Sequence, residues 1–288
     1  MKLLLNQSPA QLWRVATAVW NDMNDKNISL ISAGVAFFAI LAVFPGIAAV
    51  IAIFSIWADP VVVNAQLGLL QGIIPDDAFD LLDSQVNALV SAPTETLGWA
   101  TVISISAAIW SSRKGVSALV RGLNAIYVVP NRSGIGHYFA ALWLTSALMG
   151  AALVALGAVV VVPIVLAFLP EGAFAAQALS ATRWIAAIGV LLAGLGIIYR
   201  YGPNHRDYRM PWITPGSVLV VILWAVASYG FSEYLANFGS YNQVYGSLGA
   251  VIALLMWLYI SAFLVLLGAA LNVRLAEVDP LIVIPNDT

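Results

Sequence analysis

Long apolar runs, each close to the length of a bilayer span, constrain this chain more than any other feature. They occur at about Ile28 to Trp57, Pro93 to Ser112, Tyr138 to Leu169, Trp184 to Tyr199, Trp212 to Ser232 and Gly246 to Val273. Runs of about 18 or more such residues separate membrane helices from buried core helices. Composition points the same way: of 288 residues, 61% are hydrophobic and 9% charged, against about a quarter charged in a soluble domain. No water-soluble fold buries that much apolar surface, so lipid is the main solvent, and in lipid each run must satisfy its backbone internally as a helix. The expected fold class is an all-α membrane protein, a six-transmembrane-helix bundle. The second run is polar-leaning, with Thr101, Ser104, Ser106, Ser111 and Ser112, and the fourth is short; both are expected inside the bundle, covered by neighbours.

Orientation follows from where the basic residues fall, because cytoplasmic connections retain Lys and Arg. Lys2, Arg14 and Lys26 precede the first run. Arg113, Lys114, Arg121 and Arg132 follow the second, Arg200, Arg206 and Arg209 follow the fourth, and Arg274 follows the sixth. The other three connections hold Arg183 alone, so eleven of the 12 basic residues share one side. That side is expected to be the cytoplasm, with both termini on it. The expected division is a cytoplasmic segment over 1–27, a six-span domain over 28–273 and a cytoplasmic tail over 274–288. The opening residues lack the apolar core of a signal peptide, and an uncleaved N-terminus is expected.

Two connections carry structure of their own. The first outer one, about Ala58 to Ala92, is acidic and has no basic residue. Pro75, Asp76 and Asp77 suit a first helical turn, and Phe79, Leu82, Val86 and Leu89 recur at helical spacing, which predicts an amphipathic helical outer loop that caps or gates the bundle. After the second run, Val116, Leu119, Val120, Leu123, Ile126 and Tyr127 form an apolar stripe with Arg121 and Asn124 facing elsewhere. The second span should therefore continue as, or bend into, an amphipathic inner-interface helix. Arg113, Lys114, Arg121 and Asn124 are its expected head-group contacts.

The chemistry available to the chain is narrow. Cysteine is absent and there are two histidines, His137 and His205, too few for the converging ligands of metal-dependent hydrolysis. A net charge of −2 offers no basic surface for nucleic acid, and no Gly-rich loop followed by Lys-Ser or Lys-Thr points to ATP. Neither catalytic residues, nor a metal site, nor a cofactor is expected. No span interior carries the ionisable residue that usually marks a transport path. Two other features remain: the polar face of the second span, through Thr101, Ser104 and Ser106, and the break at Phe44, Pro45 and Gly46, where proline leaves the Leu41 carbonyl without its helical partner. Glu233, among aromatic residues that resemble an outer-leaflet belt, is the one acid close to a span. These seven residues form the expected substrate path. Small residues along the sixth run are compatible with packing inside one copy or between copies, so homo-oligomerisation stays open.

Three stretches resemble a known family. ISAGVAFFAILAVFPGI from Ile31 to Ile47, WSSRKGVSALVRGLNAIY from Trp110 to Tyr127, and YGSLGAVIALLMWLYISAFLVLLGAALN from Tyr245 to Asn272 are similar, in this order, to the YihY/BrkB family of bacterial inner-membrane proteins. The resemblance implies a multi-pass inner-membrane protein; the family's members have been linked to serum resistance and envelope export, and once carried the label ribonuclease BN, regarded as a misassignment. The function expected on this basis is a transporter, exporter or flippase of an amphipathic or lipid-like envelope component, with membrane lipids as partners and no nucleic acid. The alternative is a non-transporting scaffold that docks envelope partners through the acidic outer loop.

Overall fold

The computed structural model describes residues 9–57, 94–132, 134–136, 138–148, 150, 188–204, 210–237 and 247–278. Among the described residues every regular element is an α-helix: α1 Pro9–Asp25, α2 Ile28–Trp57, α3 Thr94–Ile126, α4 over 138–148, α5 Ile188–Tyr201, α6 Pro215–Asn237 and α7 Ser247–Val278. The outer-loop helix expected within 58–92 and the greater part of the third run lie outside the described residues.

Pro9 occupies the first turn of α1, where its missing N–H costs nothing, and Val15, Val19 and Met23 recur at helical spacing on the buried face. The helix stops at Lys26 and Asn27. Asn27 takes a left-handed φ of 52°, a conformation asparagine tolerates better than most residues, and its carbonyl then accepts from the Ile31 N–H at 3.1 Å, starting α2. The axis turns by 62° between Pro9–Asp25 and Ile28–Val43. Helix α2 runs through Pro45 and begins where the first run was placed.

Helix α3 is continuous over 33 residues, so the stretches read as the second span and the inner-interface helix belong to one element. It ends in a left-handed cap: the Val129 N–H reaches the Asn124 carbonyl at 3.0 Å, with Val128 at φ 54°. Helix α6 begins with a reciprocal cap. Thr214 Oγ1 accepts from the Ser217 N–H at 3.0 Å, and Ser217 Oγ accepts from the Thr214 N–H at 2.9 Å, with Pro215 between them at the first helical position.

On length and composition, two described helices cross a bilayer by themselves, Pro215–Tyr234 and Val251–Glu277. A third counts if α1 and Ile28–Val43 are taken as one broken span; Ile188–Tyr201 is apolar but shorter. This establishes an all-helical membrane protein and not the expected six-span bundle. Helix α3 is long enough, yet its Ser-rich face and its basic C-terminal half dilute it.

The chain divides into two units. Unit 1 comprises Met1–Ala33, Val116–Gly230 and Ile260–Thr288, and unit 2 comprises Gly34–Gly115 and Phe231–Tyr259. In unit 1 the side chains of Ile28, Val120, Leu123, Ile126, Leu144, Tyr199 and Leu266 are fully buried. Close approach there depends on glycine: a Cβ on Gly122 would stand 3.0 Å from both Ile31 and Leu266 side chains. In unit 2, Val35, Phe38 and Ala39 of α2 pack against Gly115 of α3, and Phe38 meets Trp110 edge-on at 6.4 Å.

Candidate functional site

Polar residues of unit 1 are joined into three locks. The first ties α6 to α7: Asn272, buried on α7, accepts from the Gly216 N–H at 2.7 Å and donates to Thr214 Oγ1 at 2.9 Å. One amide thus satisfies a donor that the start of α6 would otherwise leave orphaned. Gly216 and Gly268 make the approach possible, since a Cβ on either would run into the backbone of the other. The second lock joins the α3 cap to the turn after α5. Asn124 Nδ2 donates to Asn131 Oδ1 at 2.9 Å, Asn124 Oδ1 accepts from the Asn204 N–H at 2.9 Å, and Arg132 donates to the carbonyls of Gly202 and Pro203 at 3.0 Å each. Burial pulls the Arg132 guanidinium below its ordinary range.

The third lock is ionic. Arg274 grips Asp22 with two bonds, Nε to Oδ2 at 2.6 Å and NH2 to Oδ1 at 2.7 Å, the bidentate geometry that makes Arg–carboxylate pairs strong. Lys26 adds a contact to Asp22 at 2.9 Å and donates to the Ile126 carbonyl at 3.2 Å, so α1 is fastened to the C-terminal ends of α3 and α7. Burial alone would push the Asp22 carboxyl up; hydrogen bonds from Arg274 and then Lys26, with their charges, outweigh it and hold it below its ordinary value.

The expected path residues all fall in unit 2: Phe44, Pro45 and Gly46 on α2, Thr101, Ser104 and Ser106 on α3, and Glu233 on α6. Pro45 and Ser104 are half-buried, and Ser106 and Glu233 are exposed; the side chains of Phe44 and Thr101 lie outside the described ones. Phe231 stacks on Tyr234 at 6.2 Å and on Trp257 of α7 at 5.7 Å.

Of the expected head-group contacts, Arg121 is exposed, Arg113 and Lys114 are half-buried, and Lys114 lies over the Trp110 ring at 5.6 Å. Asn124 requires a correction. It is fully buried, with its amide oxygen and nitrogen both engaged, because the turn at Val129 to Asn131 folds back over the helix face expected to be open. Asp22 and Asn272 carry no signature in the sequence because Arg274, and Thr214 with Gly216, lie far from them along the chain, whereas Thr214 and Ser217 have a local one in the Thr-Pro-x-Ser cap of α6. Among the described residues no group of three or more His, Asp or Glu is placed to hold a metal ion. His137 and His205 lie outside the described residues.

Comparison with known proteins places the chain. The family model described as Virulence factor BrkB matches residues 19–281. The chain is 30% identical to the ribonuclease-like protein YfkH of Bacillus subtilis over 249 residues, covering 85% of this chain and 88% of that protein. It is 28% identical over 248 residues to a UPF0761 membrane protein of Xanthomonas campestris, covering 84% of this chain and 53% of that one, so it spans about half the length of this relative. A UPF0761 membrane protein of Xanthomonas oryzae is 39% identical over a shorter stretch of 101 residues, 33% of this chain and 24% of its own length. No solved structure matches. The match over nearly the whole chain, on helices long and apolar enough for a bilayer, establishes that this protein belongs to the BrkB family of membrane proteins.

Proposed function

We propose that the chain is a six-span inner-membrane protein, with both termini cytoplasmic, that moves or exports an amphipathic or lipid-like envelope component without catalysing its chemistry. The observation that carries this reading is the placement of Pro45 within α2, in the same unit as the Ser104 and Ser106 face of α3. A helix broken by proline exposes a carbonyl that a neighbour or a passing polar group must satisfy. Span interiors without an ionisable residue suit a substrate with an apolar part. Hydrolysis of RNA, which the name of the Bacillus subtilis relative evokes, is disfavoured by a chain with two histidines and no cysteine, short of the ligands such chemistry needs.

The test is reconstitution of the purified protein in liposomes containing a head-group-labelled phospholipid, with leaflet exchange followed by chemical quenching. Wild type is expected to exceed protein-free vesicles, and Pro45→Ala to insert at wild-type abundance and stability while losing the movement. A wild-type rate equal to that of empty vesicles overturns transport of such a lipid and favours the scaffold, docked through the acidic outer loop. Full activity in Pro45→Ala removes α2 from the mechanism.

A further inference from the structure

Where α5 ends in unit 1, a guanidinium is enclosed by aromatic rings. Arg200 Cζ lies 5.5 Å from the centre of the Trp212 ring and 5.8 Å from that of Tyr201. Tyr201 in turn meets Trp212 edge-on at 6.3 Å and Trp143 of α4 at 5.1 Å. The rings are fixed by the backbone: Gly196 leaves the space that Trp212 fills, as a Cβ there would stand 2.8 Å from its ring and 2.9 Å from its carbonyl oxygen. Arg200 NH1 donates to the Met210 carbonyl at 3.2 Å. Its Nε is buried with no hydrogen-bond partner, and among the described residues no carboxylate pairs with it. The positive charge is therefore held in place and left without a counter-ion among the described residues. Around it the surface is apolar and open: Trp143 is 54% exposed, Trp212 50% and Ile213 61%.

We propose that Arg200 and these rings form a binding site for the phosphate of an anionic phospholipid head group. With NH1 given to Met210 and Nε buried, NH2 is the donor left for a phosphate oxygen, and the Trp212 and Tyr201 rings, inclined at 70° to each other, hold the guanidinium in place and partly desolvate it. Half-exposed tryptophans occur at head-group level in membrane proteins, and basic pockets between the ends of spans take anionic lipids. Apolar exposure next to the charge selects a lipid over free phosphate, since acyl chains cover Trp143 and Ile213 while phosphate alone leaves them in water. The site does not depend on transport; only its assignment to the inner leaflet rests on the orientation proposed above.

The experiment uses the full chain in a neutral detergent, with bound lipid counted by native mass spectrometry after adding phosphatidylglycerol, phosphatidylcholine or inorganic phosphate. Wild type is expected to retain phosphatidylglycerol over phosphatidylcholine by roughly tenfold, the scale of one charge-assisted pair, and millimolar inorganic phosphate is expected not to displace it. Arg200→Gln should lose the preference. Because Arg200 also holds Met210, a second pair of variants avoids the fold: Ile213→Glu, which brings a negative charge to the exposed rim, should weaken phosphatidylglycerol retention, and Ile213→Gln should not. Equal retention of the two lipids by wild type overturns the proposal. So does undiminished selectivity in folded Arg200→Gln or in Ile213→Glu, and displacement by inorganic phosphate reassigns the site to the free anion.

Discussion

The amide of Asn272 holds two helices together through a hydrogen bond to a residue 56 positions earlier in the chain. Replacing it with alanine leaves the Gly216 N–H without an acceptor in a buried place, and an unsatisfied buried polar group costs about 1–3 kcal/mol. Asn272→Ala is therefore expected to lower the thermal unfolding midpoint in detergent, and an unchanged midpoint would show that water reaches Gly216. Asp22 gives a pH-dependent counterpart. Its carboxyl is held below the ordinary value of 3.8 in the folded protein, so its contribution is complete above that value and is lost as pH falls through 3.8 toward the lower folded pKa. Stability measured from neutral pH downward should drop in that window, and Asp22→Asn should be less stable at neutral pH and flatter below it. A wild-type acid profile in Asp22→Asn would assign the effect to another carboxylate. Neither residue was legible in the sequence. Asp22 reads as one acid in a polar segment, and Asn272 closes a family-like stretch; what matters in each case is a partner that only the fold supplies.

Elements were more legible than their contacts. The positions of α2, α5, α6 and α7 follow the apolar runs to within a few residues because length and hydropathy are local properties. Helix α1 escaped notice, since its buried face is narrow and its opposite face carries Trp13 and Trp20 among polar residues, so no long run marks it. Helical spacing identifies the stripe after the second run as helical but leaves Asn124 on a face expected to be open: it places a residue on a helix without saying which other segment will cover it. Glycine contacts show the same limit, and two of them make a paired prediction. A Cβ at Gly115 would meet Phe38 Cβ and the Val35 carbonyl oxygen at 3.6 Å, ordinary contact, so Gly115→Ala should be neutral or stabilising by up to about 1 kcal/mol through helix propensity. At Gly202 a Cβ would collide with the Ile198 carbonyl and the Leu123 side chain. Gly202→Ala should cost about 1–3 kcal/mol, as overpacking does. Thermal midpoints of the two variants, measured together, should move apart; movement in the same direction would mean that the α5 turn relaxes freely.

At the scale of the whole molecule the open quantity is the number of crossings, and charge decides it better than apolar length. Length and composition certify two described helices, or three with the bent pair, but α1 carries Arg14, Asp22 and Asp25 and its lock onto Arg274 fits a head-group position better than hydrocarbon. Helix α7 has 32 residues, about 48 Å at 1.5 Å per residue, which exceeds a hydrocarbon core of about 30 Å; its last turns, with Arg274 and Glu277, must emerge. Helix α3 has 33 residues, long enough to cross and emerge, and in the proposed six-span arrangement Arg113, Lys114 and Arg121 lie in its emerging half. If the basic side is the cytoplasm, Ile126 of α3, bonded to Lys26, and Arg274 of α7, paired with Asp22, both lie there, in accord with the ionic lock that joins them. Reporter fusions after Arg132, after Arg209 and at Thr288 are then expected to behave as cytoplasmic, and fusions near Asp80, Gly172 and Ser240 as external. An external report at Thr288 together with a cytoplasmic one at Arg132 would place the two anchors of that lock on opposite sides of the membrane, and would sink both the even span count and the orientation with it.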